Sequence, residues 1–139
     1  MPVRLIIISY RKPGLSPELF KSLYEDHVNL IKRLAVDTFP LSHQRSYIAR
    51  TTVSCPPDDA TTRNRLTPAT VPRGAQSDFD FDAIAELGFA DRAALDRFSA
   101  RVQEPDVAAE IAADEDKFLE RSTVAIAMID EMRETRNEF

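Results

Sequence analysis

His27 is the side chain best suited to chemistry, because it lies on the apolar stripe of a predicted amphipathic helix. The segment SPELFKSLYEDHVNLIKRLAV repeats apolar side chains at helical spacing, and His27 falls between two of them, Tyr24 and Ile31. A buried imidazole must be hydrogen-bonded internally or face a cavity. On position alone, a hydrogen-bonded core histidine is the simpler interpretation, and a catalytic histidine is the alternative.

The chemistry open to His27 is general acid–base catalysis. An imidazole both takes and gives a proton near neutral pH, which suits enolisation, decarboxylation of a β-keto acid or loss of water. His27 cannot point to solvent while the apolar stripe to which it belongs is buried. We therefore predict that His27 is the catalytic residue and that it lines a closed, mainly apolar cavity between this helix and a sheet.

Three further side chains are candidates for substrate binding: Tyr24, His43 and Tyr47. Tyr24 precedes His27 by three positions, so the two are neighbours on the helix. His43 and Tyr47 lie in a predicted strand and join the pocket only if its odd-numbered face looks at the helix. A register error of one residue would place Gln44, Ser46 and Ile48 there instead. For Arg45 a surface salt bridge is the better interpretation.

The elements that must position these residues can be read along the chain. The β-branched run Val3 to Ser9 predicts a central strand, and Ser16 followed by Pro17 predicts the start of a helix that runs to about Val36. Residues 41 to 53 predict a second strand. Alternation from Phe79 to Phe89 predicts a third, with Ala83, Ala85, Leu87 and Phe89 on one face. Asp91 caps a second helix, which is broken into pieces, and 123–129 predict the last strand.

This order is β-α-β-β-α-β, which predicts an α+β, ferredoxin-like fold with a four-stranded antiparallel sheet in a single domain of 139 residues. The first and last strands are apolar on both faces. Their second faces need cover, so we expect a homodimer that packs sheet to sheet. Residues 54 to 77 hold four of the nine prolines and predict an irregular loop: a lid, a solvated segment or an insertion without a role.

Composition excludes several classes of function. A net charge of −5 argues against nucleic acid as a partner, and no apolar run is long enough for a membrane span. One cysteine, Cys55, and no recognisable signal peptide favour the cytoplasm. One cysteine and two histidines argue against a metal site, and three glycines without a phosphate loop argue against a nucleotide cofactor. For Asp80, Asp82 and Glu86, a solvated face or dimer rim is the better interpretation than paired acid–base groups.

Two stretches carry a family resemblance. The opening LIIISYRKPGLSPELFKSLYEDHVNLIKRL resembles the start of EthD-domain proteins, with a turn of the type RKPG-S-E-F and a helix of the type Y-x-x-H-V-P-L. The stretch FDFDAIAELGFADRAALDRFSARVQEPDVAAEIAADEDKFLERS is similar to the second half of that family. The chain departs from many relatives in having Asp26-His27-Val28-Asn29, without paired histidines or the proline.

The resemblance implies a dimeric α+β barrel, in particular the fungal branch associated with polyketide tailoring. Members act as cofactor-free decarboxylases, dehydratases or cyclases, and related barrels act as monooxygenases on aromatic polyketides. The pocket lies between helices and sheet, and the motif histidine points into it. We therefore expect a cofactor-independent lyase acting on an aromatic or polyketide intermediate. A cofactor-free oxygenase, a cyclase and a non-catalytic binding protein are the alternatives.

Overall fold

The computed structural model describes residues 1–139, which form four strands and three α-helices around one sheet. The strands are β1 (Val3–Ser9), β2 (Ser42–Tyr47), β3 (Ala83–Phe89) and β4 (Ala125–Ile129). The helices are α1 (Pro17–Ala35), α2 (Arg92–Val102) and α3 (Pro105–Glu115). Short 3₁₀ turns lie at Val36–Thr38, Gln76–Phe79 and Arg121–Thr123. None of the helices combines the length and the hydrophobicity that a membrane-spanning helix needs.

The sheet has the order β2-β3-β1-β4, and every neighbouring pair is antiparallel. This confirms the predicted ferredoxin-like α+β fold. Ile7 at the centre of β1 pairs with Ala85 on one side and Ile126 on the other. Since paired residues point to the same face, this row defines the face of the sheet that carries the helices.

The helices α1 and α2 begin directly after the capping residues that the sequence predicts. The Ser16 side chain accepts a hydrogen bond from the Leu19 backbone N–H at 3.1 Å, and Pro17 occupies the first turn of α1. Asp91 caps α2 in the same way through the Ala94 N–H at 2.8 Å. The predicted break between α2 and α3 falls at Gln103 and Glu104. These caps fix where each helix begins relative to the sheet.

The core lies between the helices and one face of the sheet. Phe20, Tyr24 and Val28 of α1 pack with Ala83 of β3 and with Phe118, which is 0% exposed. A second cluster joins Leu95 of α2 to the remaining inward residues of β3, which are Ala85, Leu87 and Phe89. The predicted inward face of β3 is therefore confirmed.

Three of the predicted strands are longer than the observed ones. β2 ends at Tyr47 instead of residue 53, β3 begins at Ala83 instead of Phe79, and β4 begins at Ala125 instead of residue 123. β2 ends where its partner ends, because Tyr47 pairs with Ala83, the first residue of β3. Phe79 lies in a 3₁₀ turn, and its ring packs against that of Phe81.

The reason for the late start of β3 is a buried cluster at Asp82, which we call the Asp82 cluster (Arg11, Arg50, Asn64, Thr67 and Asp82). Arg11 donates to Asp82 from its backbone N–H at 2.7 Å and from its guanidinium at 2.5 Å. The Nε of Arg50 donates to Asp82 at 2.9 Å. The side chains of Arg50 and Asp82 are 2% and 3% exposed. The expectation of a solvated carboxylate at Asp82 is therefore wrong.

The same cluster orders the irregular segment 54–77. Asn64 and Thr67 accept hydrogen bonds from the second guanidinium nitrogen of Arg11 at 2.9 and 3.1 Å. Asn64 also donates to Asp80, which is thereby held inside the same network. The segment has almost no secondary structure, as predicted, but its polar side chains attach it to the end of the sheet.

The edge strand β4 is uncovered. Ala125 to Met128 are all exposed, with Ile126 at 61% and Met128 at 53%. The face of the sheet that points away from the helices carries Ile6 and Ile8, both half-buried, beside Glu86, which lies 3.7 Å from Arg4. Apolar surface is therefore open at β4.

Candidate functional site

A cavity of about 360 Å³ lies between the helices and the sheet. Its wall includes side chains from all four strands, namely His43, Leu87, Ile7, Ser9 and Ile126. Because neighbouring strands lie about 4.8 Å apart, a cavity that reaches from β2 to β4 extends roughly 14 Å across the sheet. Twelve of its 18 lining residues are hydrophobic. It has the size and apolar character of small-molecule sites, which span about 300–1,000 Å³.

The two ends of the cavity differ. At the β2 end it is bounded by His43, Phe39 and the buried Pro40. At the β4 end its lining includes Ile126 and Arg121, both exposed. We call these the β2 end and the β4 end. The cavity is open at the β4 end, so the expectation that it is closed is wrong, because no element packs over β4.

His27 lines this cavity, and one of its two ring nitrogens is hydrogen-bonded within the protein. It is 4% exposed, and its Nδ1 lies 2.7 Å from Oδ2 of Asp114. Its ring packs edge-on against Phe118, with centroids 5.0 Å apart. Its Nε2 lies 4.0 Å from Oε2 of Glu115, another lining residue. An ionised Asp114 accepts only, so Nδ1 carries the proton and Nε2 is left as a base.

The carboxylates beside His27 belong to the last turn of α3. Partial burial of Asp114 raises its pKa, but the hydrogen bond with His27 and the contact with Lys117 outweigh this, so the pKa lies below its ordinary value. Lys117 Nζ lies 3.1 Å from the other oxygen of Asp114. Glu115 is in turn paired with Arg121, at 3.4 Å. Asp114 is therefore ionised at neutral pH.

Tyr24 and His43 lie together in the cavity wall, as predicted. Tyr24 is 5% exposed, and burial raises the pKa of its hydroxyl, so it is a neutral phenol. Its ring meets that of His43 edge-on, with centroids 6.5 Å apart. His43 is stacked on Phe39 at an interplanar angle of 12°. Burial, with the positive charge of Arg45, lowers the pKa of His43, which favours the neutral imidazole.

Tyr47 takes a different position. It is on the odd-numbered face of β2, which does look at the helix, but it is not among the residues that line the cavity. Its hydroxyl donates to Oε2 of Glu25 at 2.5 Å, and Arg45 donates to both oxygens of that carboxylate at 2.5 and 2.6 Å. This three-residue group lies next to the cavity and ties β2 to α1. Arg45 thus forms the expected salt bridge.

Segment 54–77 contributes no residue to the cavity lining. It is held at the end of the sheet by the Asp82 cluster, and Cys55 within it is exposed.

No group of three or more His, Cys, Asp or Glu side chains is arranged to hold a metal ion.

Asp114 and Glu115 were not among the predicted site residues, although the sequence contains a signal for them. Val107 and Ile111 define the buried side of α3, and positions 114 and 115 follow them at helical spacing. An acidic residue on an apolar stripe is the same kind of anomaly as His27 on α1. Two such anomalies on different helices indicate a paired site.

Comparison with protein families assigns the chain. The model of the EthD domain matches residues 12–122. The chain belongs to the EthD domain family. The match spans α1 with His27, the strands β2 and β3, and α3 with Asp114, whereas the cavity lining from β1 and β4 lies outside the matched residues of this EthD protein. No curated protein sequence is a significant match to it.

Solved structures with the same fold include three at low identity. A protein from Arabidopsis thaliana is 16% identical with a TM-score of 0.52, and covers 96% of this chain and 99% of its own. An EthD family protein from Bacillus halodurans is 14% identical with a TM-score of 0.51, at 95% and 100% coverage. A hydroxynitrile lyase from Passiflora edulis is 16% identical with a TM-score of 0.51, at 96% and 97% coverage. They support the ferredoxin-like fold of the EthD protein.

Proposed function

We propose that this EthD protein is a cofactor-independent enzyme that uses His27 as a general acid–base group on a flat aromatic or polyketide intermediate. The observation that carries the proposal is the position of His27 in the wall of an apolar cavity, with Nδ1 held by Asp114. A carboxylate partner fixes the tautomer and stabilises the imidazolium that forms when Nε2 takes a proton.

The substrate class follows from the lining of the cavity. Apolar side chains supply most of the wall, and the polar groups are few: the two imidazoles, the Tyr24 hydroxyl, Ser9 and the Glu115–Arg121 pair. A flat ring system with one or two oxygen substituents suits such a site. A heavily charged substrate does not, because most of its polar groups would be buried without partners.

The reaction we favour is a lyase step, namely decarboxylation or dehydration. Loss of CO₂ from a β-keto acid leaves an enol, which needs a proton at carbon, and loss of water needs a base at carbon and an acid at the leaving hydroxyl. His27 can serve in either step. A hydroxynitrile lyase shares the fold. The fungal polyketide-tailoring branch of the family is the setting in which we place this chemistry.

The experiment compares the wild-type protein with His27→Gln on two probes. Benzoylacetic acid reports decarboxylation through CO₂ release, and anthrone reports oxygenation through oxygen uptake. We expect CO₂ release, lowered about 10²- to 10⁴-fold in His27→Gln. Asp26→Asn, at the exposed neighbouring position, is the matched control and keeps full activity.

Each alternative has its own result. Oxygen uptake on anthrone without CO₂ release favours the oxygenase. Turnover that is equal in His27→Gln rejects the acid–base role. Saturable binding of either probe without any turnover favours the non-catalytic binding protein. Product analysis after co-expression with a polyketide synthase then tests the cyclase and the natural substrate.

We also propose a homodimer that packs through the helix-free face of the sheet. The helix-free face leaves apolar surface in water at Ala125 and Ala127 of β4 and at the half-buried Ile6 and Ile8, which supports this proposal. The cytoplasm is the compartment we propose for it, on the basis of its single free cysteine.

A further inference from the structure

His43 has two nitrogens in different surroundings. Nδ1 is enclosed by protein and meets no hydrogen-bond partner of good geometry, and the ring has only a weak contact with its own backbone carbonyl. The carbonyl oxygen of His43 already accepts a hydrogen bond from Arg45 Nη1 at 3.0 Å. Nε2 is not enclosed in this way, and the ring lines the cavity at the β2 end. Nε2 is therefore the nitrogen that a ligand can reach.

The enclosed nitrogen decides the tautomer. An enclosed N–H without an acceptor is rarer and costlier in proteins than an enclosed acceptor without a donor. The proton of a neutral His43 is therefore on Nε2, and the bare nitrogen is Nδ1. Burial and the charge of Arg45 lower the pKa of His43, which favours the neutral ring at pH 7.

The two histidines thus carry opposite functions in one cavity. Asp114 holds the proton of His27 on Nδ1, so its Nε2 accepts a proton, whereas the Nε2–H of His43 donates a hydrogen bond. We propose that His43 is a second catalytic residue, which binds the carbonyl oxygen of the substrate while His27 removes a proton from the adjacent carbon. This inference rests on the proposed function and assigns its substrate class: an aryl or cyclic ketone with a C–H beside the carbonyl.

The step balances without a cofactor. Nε2 of His27 takes the proton, the C–H bond breaks, and its electron pair forms the C=C bond of the enolate. The carbonyl π pair moves to oxygen, where the Nε2–H of His43 stabilises the negative charge. Decarboxylation passes through the same enolate when CO₂ leaves in place of the proton. A neutral donor suits this step because it stabilises the oxyanion without delivering its proton.

The first test is the protonation state itself. Untagged protein has only two histidines, so ¹⁵N spectra of the imidazole rings contain four nitrogen signals, assigned with His27→Gln and His43→Gln. At pH 7 we expect a proton on Nε2 of His43 and on Nδ1 of His27. A proton on Nδ1 of His43, or a doubly protonated His43 ring, overturns the proposal.

The second test is hydrogen exchange at carbon. 1-Tetralone in D₂O exchanges its α-protons through the enolate, and NMR follows the rate above the buffer-catalysed reaction. We expect the wild-type protein to accelerate exchange, and His43→Leu to lower the rate about 10²- to 10³-fold. His43→Gln retains an N–H donor and restores part of the rate. Melting curves of both variants control for folding.

The outcomes separate the two proposals. Exchange lowered by His27→Gln but not by His43→Leu overturns the role of His43 and leaves the proposed function intact. Equal loss in His43→Leu and His43→Gln, with both folded, indicates packing in place of hydrogen bonding and also overturns it. No acceleration by the wild-type protein overturns the ketone class, whereas CO₂ release from benzoylacetic acid tests the proposed function independently.

Discussion

At the residue scale, the carboxylate of Asp114 determines which nitrogen of His27 carries the proton. The pair joins the middle of α1 to the last turn of α3, 87 positions apart in the sequence. The Asp114 side chain is 20% exposed and also contacts Lys117, while His27 is enclosed. The base and its orienting group thus have different access to water.

Replacement of Asp114 by Asn tests this arrangement. An amide can donate its N–H to Nδ1, which moves the proton of His27 to Nε2 and removes the base. We expect Asp114→Asn to lower turnover by up to about 10⁴-fold, with a smaller change in KM. Asp116→Asn, two positions along at an exposed site, is the control and keeps turnover. Normal turnover in Asp114→Asn contradicts the orienting role.

Glu25 gives a pH dependence of stability. The hydrogen bonds from Arg45 lower its pKa from 4.5 to about 2, against the opposing effect of burial, and Tyr47 adds to the lowering. A carboxylate with a depressed pKa in the folded state stabilises the protein above its unfolded pKa, and this contribution is lost as pH falls from about 4.5 to about 2. Glu25 is 41% exposed, so screening keeps the effect near about 1 kcal/mol or below.

Urea unfolding of wild type and Glu25→Gln at pH 7 and pH 2 checks this prediction. The variant is expected to be the less stable protein at pH 7 and to differ little from wild type at pH 2. An equal difference in the free energy of unfolding at both pH values shows that the charge of the Glu25 carboxylate does not contribute to stability.

A site residue could be predicted where the local sequence period identifies the face of the helix or strand on which it lies. His27 and Tyr24 share a helix stripe, and the odd face of β2 follows from alternation, so His27, Tyr24 and His43 were found. Tyr47 shares that face, but the carboxylate of Glu25 binds its hydroxyl outside the cavity lining. Asp114 depends on the packing of α3 against α1, which no local pattern specifies.

At the scale of elements, the Asp82 cluster holds the irregular segment to the sheet. One carboxylate faces two arginines, and the remaining guanidinium N–H groups reach Asn64, Thr67 and backbone carbonyls. Asp82 is the only carboxylate paired with Arg11 and Arg50. Its charge is therefore needed to keep Arg11 and Arg50 in a buried position.

Asp82→Asn is expected to destabilise the protein by about 3–5 kcal/mol, because it leaves two buried guanidinium groups without a counter-charge. The free energy of unfolding in urea measures the loss. Glu86→Gln is the control, since Glu86 is half-exposed and 3.7 Å from Arg4, and such pairs contribute about 0–1 kcal/mol. If both variants lose equally little, the cluster does not anchor the segment.

Element order and the starts of α1 and α2 could be predicted from caps and periodicity, and β1 matches over its whole length. The end of β2 and the start of β3 could not be predicted in this way. Alternation continues from Phe79 to Asp82 in the sequence, but Arg11 and Arg50 turn Asp82 inward. Those two arginines are distant in the sequence, so the pattern contains no sign of them.

At the scale of the whole molecule, the proposed dimer can be tested on one strand. Ala127 pairs with Ile6 on the helix-free face, and Met128 points to the other face; both are exposed. We expect wild type to be a dimer and Ala127→Glu to dissociate it, because the variant places a charge in an apolar interface. Met128→Glu is the control. Light scattering at micromolar concentration that shows a wild-type monomer rejects the dimer.

The difference between the two ends of the cavity has a consequence for what the protein recognises. The β2 end is bounded by His43, Phe39 and Pro40, whereas the β4 end opens beside Ile126. Groups on the far side of the reacting carbonyl can therefore extend past β4 into water without a steric clash. We expect strict selectivity for the ring that binds at the β2 end and loose selectivity for the substituent that extends past β4. One enzyme can then act on a series of homologous substrates that differ in the length of this substituent or are still attached to a carrier.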